Sequence, residues 1–436
     1  MKVAVATLGC KVNQFDSALL AERLRSEGFT VVPFGEGADV CIINTCTVTA
    51  RTDYQSRQLV RRARRYCPYA GIVVTGCYAQ VAPAELAEMP GVAAVVGNAE
   101  KDALPGFLDR ILDERGKIIV GDIRRCDSLP SGTADVFPGR TRAILKVQDG
   151  CDAFCTYCIV PFSRGRSRSL PPSDVLRQAA RFAESGYREV VLTGIHLGSY
   201  GSDLEPPASL AGLLAGFDDI DGVERVRLSS IEPMEVTPEL ISRMASSEKL
   251  CRHLHVPLQS GDDRILKLMG RNYTGDQFRL LVKGLTEAVP DIAVGVDVMT
   301  GFPGEGEEEF RRTAALIEEL PLAYLHVFPY SRRPGTPAAD FPHQVPEEAK
   351  KRRAALLRSL GAKKRASFAR RFIGKEVSVL VEGKADRQTG LMKGFTDNYI
   401  PVLIEDGDPD LVNQIVTVRP TGAREGKLSA RMESHG

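Results

Sequence analysis

Three cysteines stand at C-x3-C-x2-C spacing in CDAFCTYC, at Cys151, Cys155 and Cys158. Thiolates this close in sequence can hold one metal centre, yet an iron–sulfur cube usually takes four protein thiolates. Either a fourth cysteine comes from elsewhere, or one iron stays open to a small molecule. A zinc site would prefer a fourth Cys or His at short range, and the next such residue is His196. A ferredoxin run would read C-x2-C-x2-C with a remote cysteine followed by Pro, which this is not.

Three further cysteines share a different placement. VAVATLGC ends at Cys10, DVCIINTC at Cys46 and GIVVTGC at Cys77, each an apolar run followed by a Thr, Gly or Asn turn and then a thiol. In an open parallel sheet the carboxyl ends of the strands share one edge, where ligands bind. These thiols are therefore expected to converge as a metal or cluster cradle. Cys41 lies inside its strand, and Cys67, Cys126 and Cys251 have no such placement, so all four read as small buried residues. GEGADV, at 35–40, lacks a third glycine and precedes a strand, which argues against a dinucleotide or phosphate loop.

The elements that must position these residues follow from pattern. The chain has 436 residues, enough for about three domains. Its 43% hydrophobic and 26% charged content is that of an ordinary soluble protein, and its net charge of +1 announces no nucleic-acid partner globally. No apolar run reaches the ~18 residues of a membrane span and the start carries no secretory signal, so a cytoplasmic location is expected. Cysteines in that compartment read as metal ligands or redox groups before disulfides.

Residues 1–130 alternate strand and helix patterns, predicting a parallel α/β sheet domain. One predicted helix is DSALLAERLRSEG, with Leu19, Leu20, Ala21 and Leu24 on one apolar face and Gly28 as its stop. From 140 to 371, strands are expected at AILKV, EVVLTGI, RVRLSSI, HLHVPLQ, IAVGVDVMTG and YLHVFPY, with helices such as PPSDVLRQAARFAESG and TGDQFRLLVKGLTEAV between them. Six such units predict a partial (β/α)6 barrel with its site at the C-terminal strand ends. CDAFCTYC follows directly on the first strand. Residues 372–434, with EVSVLVEG, YIPVLIE and QIVTVRP, predict a small all-β barrel.

C-x3-C-x2-C after the first strand of a partial barrel, with Tyr157 just before the last cysteine, resembles the radical S-adenosylmethionine enzymes. The resemblance implies a [4Fe-4S] cluster on Cys151, Cys155 and Cys158, its fourth iron chelated by S-adenosylmethionine. It also implies reductive cleavage to a 5′-deoxyadenosyl radical. TGIHLGSYG, LSSIEP, HVPLQSG and GVDVMTGFPGE are similar to the superfamily's cosubstrate-binding edges, which makes Ser229, Gln259 and Gly301 candidate contacts. Gly301 could equally serve a tight turn, and Tyr157 could simply cover the cluster.

TLGCKVNQFDS, INTCTVT and VTGCYAQ resemble the three auxiliary-cluster motifs of the methylthiotransferases, and KVQDGCDAFCTYCIVPFSRG their radical motif. HLHVPLQSGDDRILKLMGRNYT resembles a later barrel segment of the same family, so the resemblance spans residues 1–434. It implies a second [4Fe-4S] cluster on Cys10, Cys46 and Cys77, two S-adenosylmethionine molecules and a C-terminal RNA-binding domain of the TRAM type. The implied partners are a tRNA anticodon loop and an electron donor such as a flavodoxin or ferredoxin, with no membrane. TLGCKVNQ, TGIHLGSYG and LSSIEP most resemble the branch that adds a methylthio group to carbon 2 of threonylcarbamoyladenosine. The same chemistry on isopentenyladenosine or on a ribosomal protein is the alternative within the family. An RNA-tethered iron–sulfur electron carrier or redox sensor is the alternative outside it, and such a carrier needs no open iron at a barrel mouth.

RNA contacts are expected at local basic patches. KKRRAALLRSLGAKKRASFARR, at 350–371, holds ten basic residues and no acidic one. Ala354, Leu356, Leu357 and Leu360 predict a helix with a packed face, and RRARR at 61–65 is a second patch. Lys384, Lys393 and Arg419 are the phosphate-contact candidates of the C-terminal barrel, and Lys363, Lys364 and Arg365 those of the helix.

Overall fold

Apolar runs without polar alternation, such as VCIINT, fit strands buried on both faces. In the computed structural model, which describes residues 1–111, 116–129, 137 and 140–432, they form a six-stranded parallel sheet. The expected domain ends at 130 and 434 lie outside the described residues. The strands are β1 (Lys2–Thr7), β2 (Thr30–Val32), β3 (Val40–Thr45), β4 (Gly71–Gly76), β5 (Val92–Val96) and β6 (Lys117–Ile119), in the order β2-β1-β3-β4-β5-β6. The helix Lys11–Ser26 packs Leu20 and Leu24 on one face of the sheet, and Ala50–Tyr66 packs Val60 and Ala63 on the other.

The first helix begins five residues before the expected Asp16, because Cys10 takes its N-cap and Val12 and Phe15 are buried in its opening turns. Its apolar residues also divide between two partners. Leu20 and Leu24 meet the sheet, whereas Phe15 and Leu19 join the core of the next domain. One helix thus belongs to two cores.

The second domain is a partial barrel. Its strands are β7 (Arg142–Lys146), β8 (Gln148–Asp149), β9 (Arg168–Ser169), β10 (Glu189–Thr193), β11 (Arg225–Leu228), β12 (His253–His255), β13 (Ala293–Thr300) and β14 (Tyr324–Pro329). β8 and β9 form a small antiparallel pair beside the six expected parallel strands. β7-β10-β11 and β12-β13-β14 are joined through the bridges Val226 to Leu250 and Ser230 to His255, leaving a seam between β7 and β14. Pro172–Glu184 and Gly275–Ala288 are helical as expected, the second capped reciprocally by Thr274 and Gln277.

The long helix Glu347–Arg370 buries Ala354 and Leu357 with Leu360 packed alongside, while Leu356 is 54% exposed. The expected face was too wide, since Leu356 lies about 200° around the helix from Ala354. Beyond it, β15 (Val377–Val381), β16 (Met392–Thr396), β17 (Pro401–Ile404), β18 (Ile415–Arg424) and β19 (Lys427–Met432) close into a barrel. β16 and β19 escape sequence reading because MKGFT and KLSARM carry too few apolar residues to alternate.

This small barrel also supplies the floor of the large one. Arg225 donates to the carbonyls of Phe395 and Ser378, and Arg227 to those of Thr396 and Asp397, at 2.7–3.1 Å. Tyr399 packs on His253 with ring centroids 4.9 Å apart, under the guanidiniums of Arg142 and Arg227. The turn at 395–399 therefore caps the N-terminal ends of β7, β11 and β12. Among the described residues, no helix is long and apolar enough to cross a membrane.

Candidate active site

β1, β3 and β4 are neighbours, so the segments that follow them emerge side by side and carry Cys10, Cys46 and Cys77 together. Such close approach excludes side chains at two places. At Gly9, with φ +109°, an added Cβ would lie 2.8 Å from Cys46 Cβ. At Gly76, with φ +94°, it would lie 2.4 Å from Asn44 Oδ1. Asn13 Nδ2 ties the strand ends by donating to the carbonyls of Leu8 at 2.7 Å and Thr45 at 2.9 Å.

Cys46 and Cys77 are buried and Cys10 is open. Cys10 caps the N-terminus of Lys11–Ser26; burial of its sulfur raises the thiol above its usual range, with Arg164 opposing the rise. Burial, then the neighbouring Cys77, pushes the Cys46 thiol up to about 12. Holding it as a thiolate takes a cation.

The second triad lies on the loop after β8. Gly150 has φ +79°, and a Cβ there would fall 1.7 Å from the Arg166 carbonyl oxygen. Cys151 N donates to the Gly165 carbonyl at 3.0 Å, while Thr156 is pinned through N to Met269 O at 3.0 Å and through Oγ1 to Leu268 O at 2.8 Å. Donors surround the sulfurs. Ala153 N is 3.4 Å and His196 Nδ1 3.3 Å from Cys151 Sγ, and Arg271 Nη1 is 3.4 Å from Cys155 Sγ. Arg271 is held by Glu232, and His196 Nε2 lies 2.7 Å from Glu235 Oε1. Burial pushes Cys158 up to about 12, as it does Cys46.

All six cysteines are free, and among the described residues only His255, Asp297 and His326 bring three ligand atoms within 4.8 Å of one another. Both thiol sets are wider than that. A single tetrahedral ion, with metal–sulfur bonds of about 2.3 Å, would draw its sulfurs to roughly 3.8 Å. The wider sets, faced by cationic donors, fit a polynuclear iron–sulfur centre.

The predicted cosubstrate residues divide. Ser229 follows β11 at the barrel mouth, and its buried Oγ has no partner among the described residues. Gln259 follows β12 in the left-handed region, φ 59°, and holds the edge of β13 through Asp297 O and Met299 N. Gly301, φ +73°, turns against Lys350, whose Cγ would lie 2.3 Å from an added Cβ. The positive φ fits a tight turn at that position. Tyr157 packs its ring on Phe302, centroids 6.3 Å apart, and burial holds its phenol well above the usual range.

Sequence reasoning missed what lies between the triads. Arg164, 2% exposed, donates Nε to Cys77 Sγ at 3.3 Å, Nη1 to Asp16 at 3.0 Å and to Asp149 at 2.8 Å, and Nη2 to Asn13. Lys101 and Lys146 also reach Asp16. Asp149, Cys77 and Asp16 hold Arg164 well above its usual range despite burial, and Lys101, Lys146 and Arg164 in turn hold Asp16 well below its own. A second clamp is Arg333, which reaches Asp53 at 2.5 Å and Thr47, just after Cys46, at 2.6 Å. Arg164 and Asn13 stood inside the quoted motifs. Nothing in their spacing marked them as partners.

Of the basic candidates, Lys364 Nζ caps the carbonyls of Glu318 at 2.8 Å and Leu320 at 2.5 Å, and Lys350 and Arg353 are buried, Arg353 against Glu305. Arg419 pairs with Glu376 at 2.7 Å and Lys393 with Glu382 at 3.6 Å. Lys363, Arg365 and the arginines of RRARR are exposed.

A sheet with strand-end thiols, a seamed six-strand barrel with a three-thiol loop and a closed β-barrel together define a radical S-adenosylmethionine enzyme with appended domains. Residues 145–317 match the radical SAM superfamily, 370–432 the TRAM domain and 2–97 the uncharacterized protein family UPF0004. The radical S-adenosylmethionine methyltransferase TsrM of Kitasatospora setae shares this fold, with a TM-score of 0.58 at 19% identity over 78% of this chain and 75% of that one. The chain is 42% identical to the threonylcarbamoyladenosine tRNA methylthiotransferase MtaB of Bacillus subtilis, over 96% of this chain and 93% of that one. It is 43% identical to the protein of that name in Aquifex aeolicus, over 92% and 96%. To the tRNA-2-methylthio-N(6)-dimethylallyladenosine synthase of Pelotomaculum thermopropionicum it is 35% identical, over 98% and 97%. The chain belongs to the radical S-adenosylmethionine methylthiotransferase family.

Proposed function

We propose that this protein transfers a methylthio group to carbon 2 of threonylcarbamoyladenosine in the anticodon loop of tRNA. Two [4Fe-4S] clusters, one on each thiol triad, and two S-adenosylmethionine molecules serve the reaction. When bound, these groups supply the methylated sulfur, the reductive sulfonium cleavage and the hydrogen abstraction; an electron donor such as a flavodoxin or ferredoxin feeds them.

The observation that carries the reading is the pair of separate thiol triads, both after strand ends, the first touching Arg164 through Cys77 and the second following the strand whose Asp149 the same guanidinium holds. The chain's own residues divide the work. Cys10, Cys46 and Cys77 would hold one centre, and a set of three thiols leaves a fourth ligand position for an exogenous sulfur. Cys151, Cys155 and Cys158 hold the other, with Arg271 and the Ala153 amide stabilising negative charge on sulfur. Ser229 Oγ offers a hydrogen bond to the cosubstrate, and Tyr157 with Phe302 excludes water from one side. The higher identity to relatives named for threonylcarbamoyladenosine favours that base over the isopentenyl one.

The test is mass spectrometry of tRNA nucleosides from cells lacking this chain. Loss of the methylthio form of threonylcarbamoyladenosine, with its parent accumulating, is expected. An intact methylthio nucleoside would overturn the assignment.

A further inference from the structure

Where the seam of the large barrel meets its floor there is a cavity of about 420 Å³. That is within the range of small-ligand sites, roughly 300–1,000 Å³. Lys11, Arg140, Arg142, Lys384 and Lys393 line it against a single acid, Glu382. Glu382 is already engaged by Arg142 at 2.7 Å and by Lys393 at 3.6 Å. Among the described residues, neither Lys11 nor Lys384 has a carboxylate within ion-pair distance, and the nearby Glu189 is committed to Arg227 at 2.6 Å. Cations gathered in a recess without matching anions repel one another, and an anionic ligand relieves that repulsion.

The place of the cavity says which anion. Lys11 directly follows Cys10, so its helix starts at the first thiol triad while its side chain lines the cavity below. Ile144 and Val191, from β7 and β10, form an apolar wall between the cations and the mouth, and the Tyr399 ring closes the bottom. Such a recess offers an apolar wall to a flat base and charge to the far end of a substituent. On adenine the C2–H and C6–N6 bonds diverge. A base with C2 turned to the thiols at the mouth can therefore send its N6 chain toward the floor. The threonylcarbamoyl chain ends in a carboxylate; an isopentenyl chain ends in methyl groups and would leave these cations desolvated and unpaired.

We infer that Lys11 and Arg142, with Lys384 at the rim, form the subsite that binds the carboxylate of the N6-threonylcarbamoyl group and so select this base over apolar N6 substituents. The inference rests on the reaction proposed above. It adds the residues that read the substituent.

Binding of anticodon stem-loops to the iron-loaded protein, measured anaerobically without reductant, tests it. One stem-loop carries threonylcarbamoyladenosine and the other the same nucleoside with its carboxylate converted to the neutral carboxamide. The intact protein should prefer the acid by about 10–100-fold, the effect of a charge-assisted pair. Lys11→Met and Arg142→Met should each erase most of that preference while leaving carboxamide binding unchanged. Iron content measured in parallel shows that the centre next to Lys11 survives. Lys384→Met, remote from the thiols in sequence, should lower the preference less. Equal binding of acid and amide by the intact protein would overturn the inference, as would variants that weaken both ligands equally, the mark of a backbone phosphate contact. The nucleoside profile reads the reaction independently: if the methylthio nucleoside disappears but no acid preference exists, the reaction stands and this subsite falls.

Discussion

Arg164 Nε lies 3.3 Å from Cys77 Sγ although 87 residues separate them, and the same guanidinium holds Asp16 of the sheet domain and Asp149 of the barrel. The side chain that neutralises one thiol triad also fixes the approach of the strand leading to the other. Breaking a buried pair by removing one partner costs about 3–5 kcal/mol, since it leaves charge uncompensated. Arg164→Met should therefore lower stability by that order and release iron from the first triad. Arg164→Lys, with one donor group in place of a planar fork, should retain part of the stability but bind that iron more weakly. Iron analysis and thermal unfolding of both variants check this; full iron in the methionine variant would sink it.

The two triads should be separable. Replacing Cys10, Cys46 and Cys77 with Ala should remove about half the iron yet preserve release of 5′-deoxyadenosine from S-adenosylmethionine under dithionite. Replacing Cys151, Cys155 and Cys158 should abolish that release. Loss of cleavage from the first triple variant would mean one shared centre.

Gly150→Ala places a methyl where the Arg166 carbonyl oxygen stands, 1.7 Å away, at a φ of +79°. The backbone conformation alone costs about 1 kcal/mol, and the clash forces the thiol loop to move. The variant should fold with its sheet domain intact but lose iron at Cys151, Cys155 and Cys158. Wild-type iron content and cleavage would show that the loop tolerates the shift.

Binding of tRNA should depend on exposed cations and not on those used internally. Lys363→Glu with Arg365→Glu should weaken binding and flatten its dependence on salt by about one to two released counterions. Lys364 belongs outside such a test, because its Nζ caps the carbonyls of Glu318 and Leu320 at the C-terminal end of the helix Glu307–Glu319, which reversal there would uncap. An unchanged salt slope would remove the helix from the RNA interface.

Burial first, and then Arg227, His255, Lys11 and Arg142, hold His253 well below the usual imidazole range. Tyr324 and Tyr399 pack on its ring, and Nε2 meets the Tyr324 hydroxyl at 2.7 Å. A histidine folded neutral leaves the unfolded chain to take the extra proton below about pH 6.5. Its stabilising effect is therefore complete above that pH and declines below it, by no more than about 1.4 kcal/mol per pH unit. His253→Gln should reduce the drop in unfolding temperature between about pH 7.5 and pH 5.5. An identical drop in both proteins would assign acid sensitivity to other groups.

The parts legible in the sequence are those that repeat. Strand-end thiols, six strand–helix units and the C-x3-C-x2-C loop announce themselves because one physical pattern recurs at fixed spacing. What stayed hidden depends on contacts between distant segments. Asn13, Asp16 and Arg164 look like ordinary polar residues of a helix and a turn, and only folding brings them around Cys77. Leu19 and Leu20 are adjacent and equally apolar, yet they face different cores because a second domain lies against the first helix. β16 and β19 lack alternation and become strands because ring closure pairs their edges.

The turn at 395–399 has a consequence for how the molecule is made. Both thiol triads are complete once residue 158 has left the ribosome, and all six strands of the large barrel by 329. Its floor comes from the later residues 395–399. Since domains fold in the order they are synthesised, a nascent or prematurely terminated chain holds every cysteine of the two triads above an open-bottomed tube. Translation through the small β-barrel is what turns a tube carrying two sets of thiols into a closed vessel.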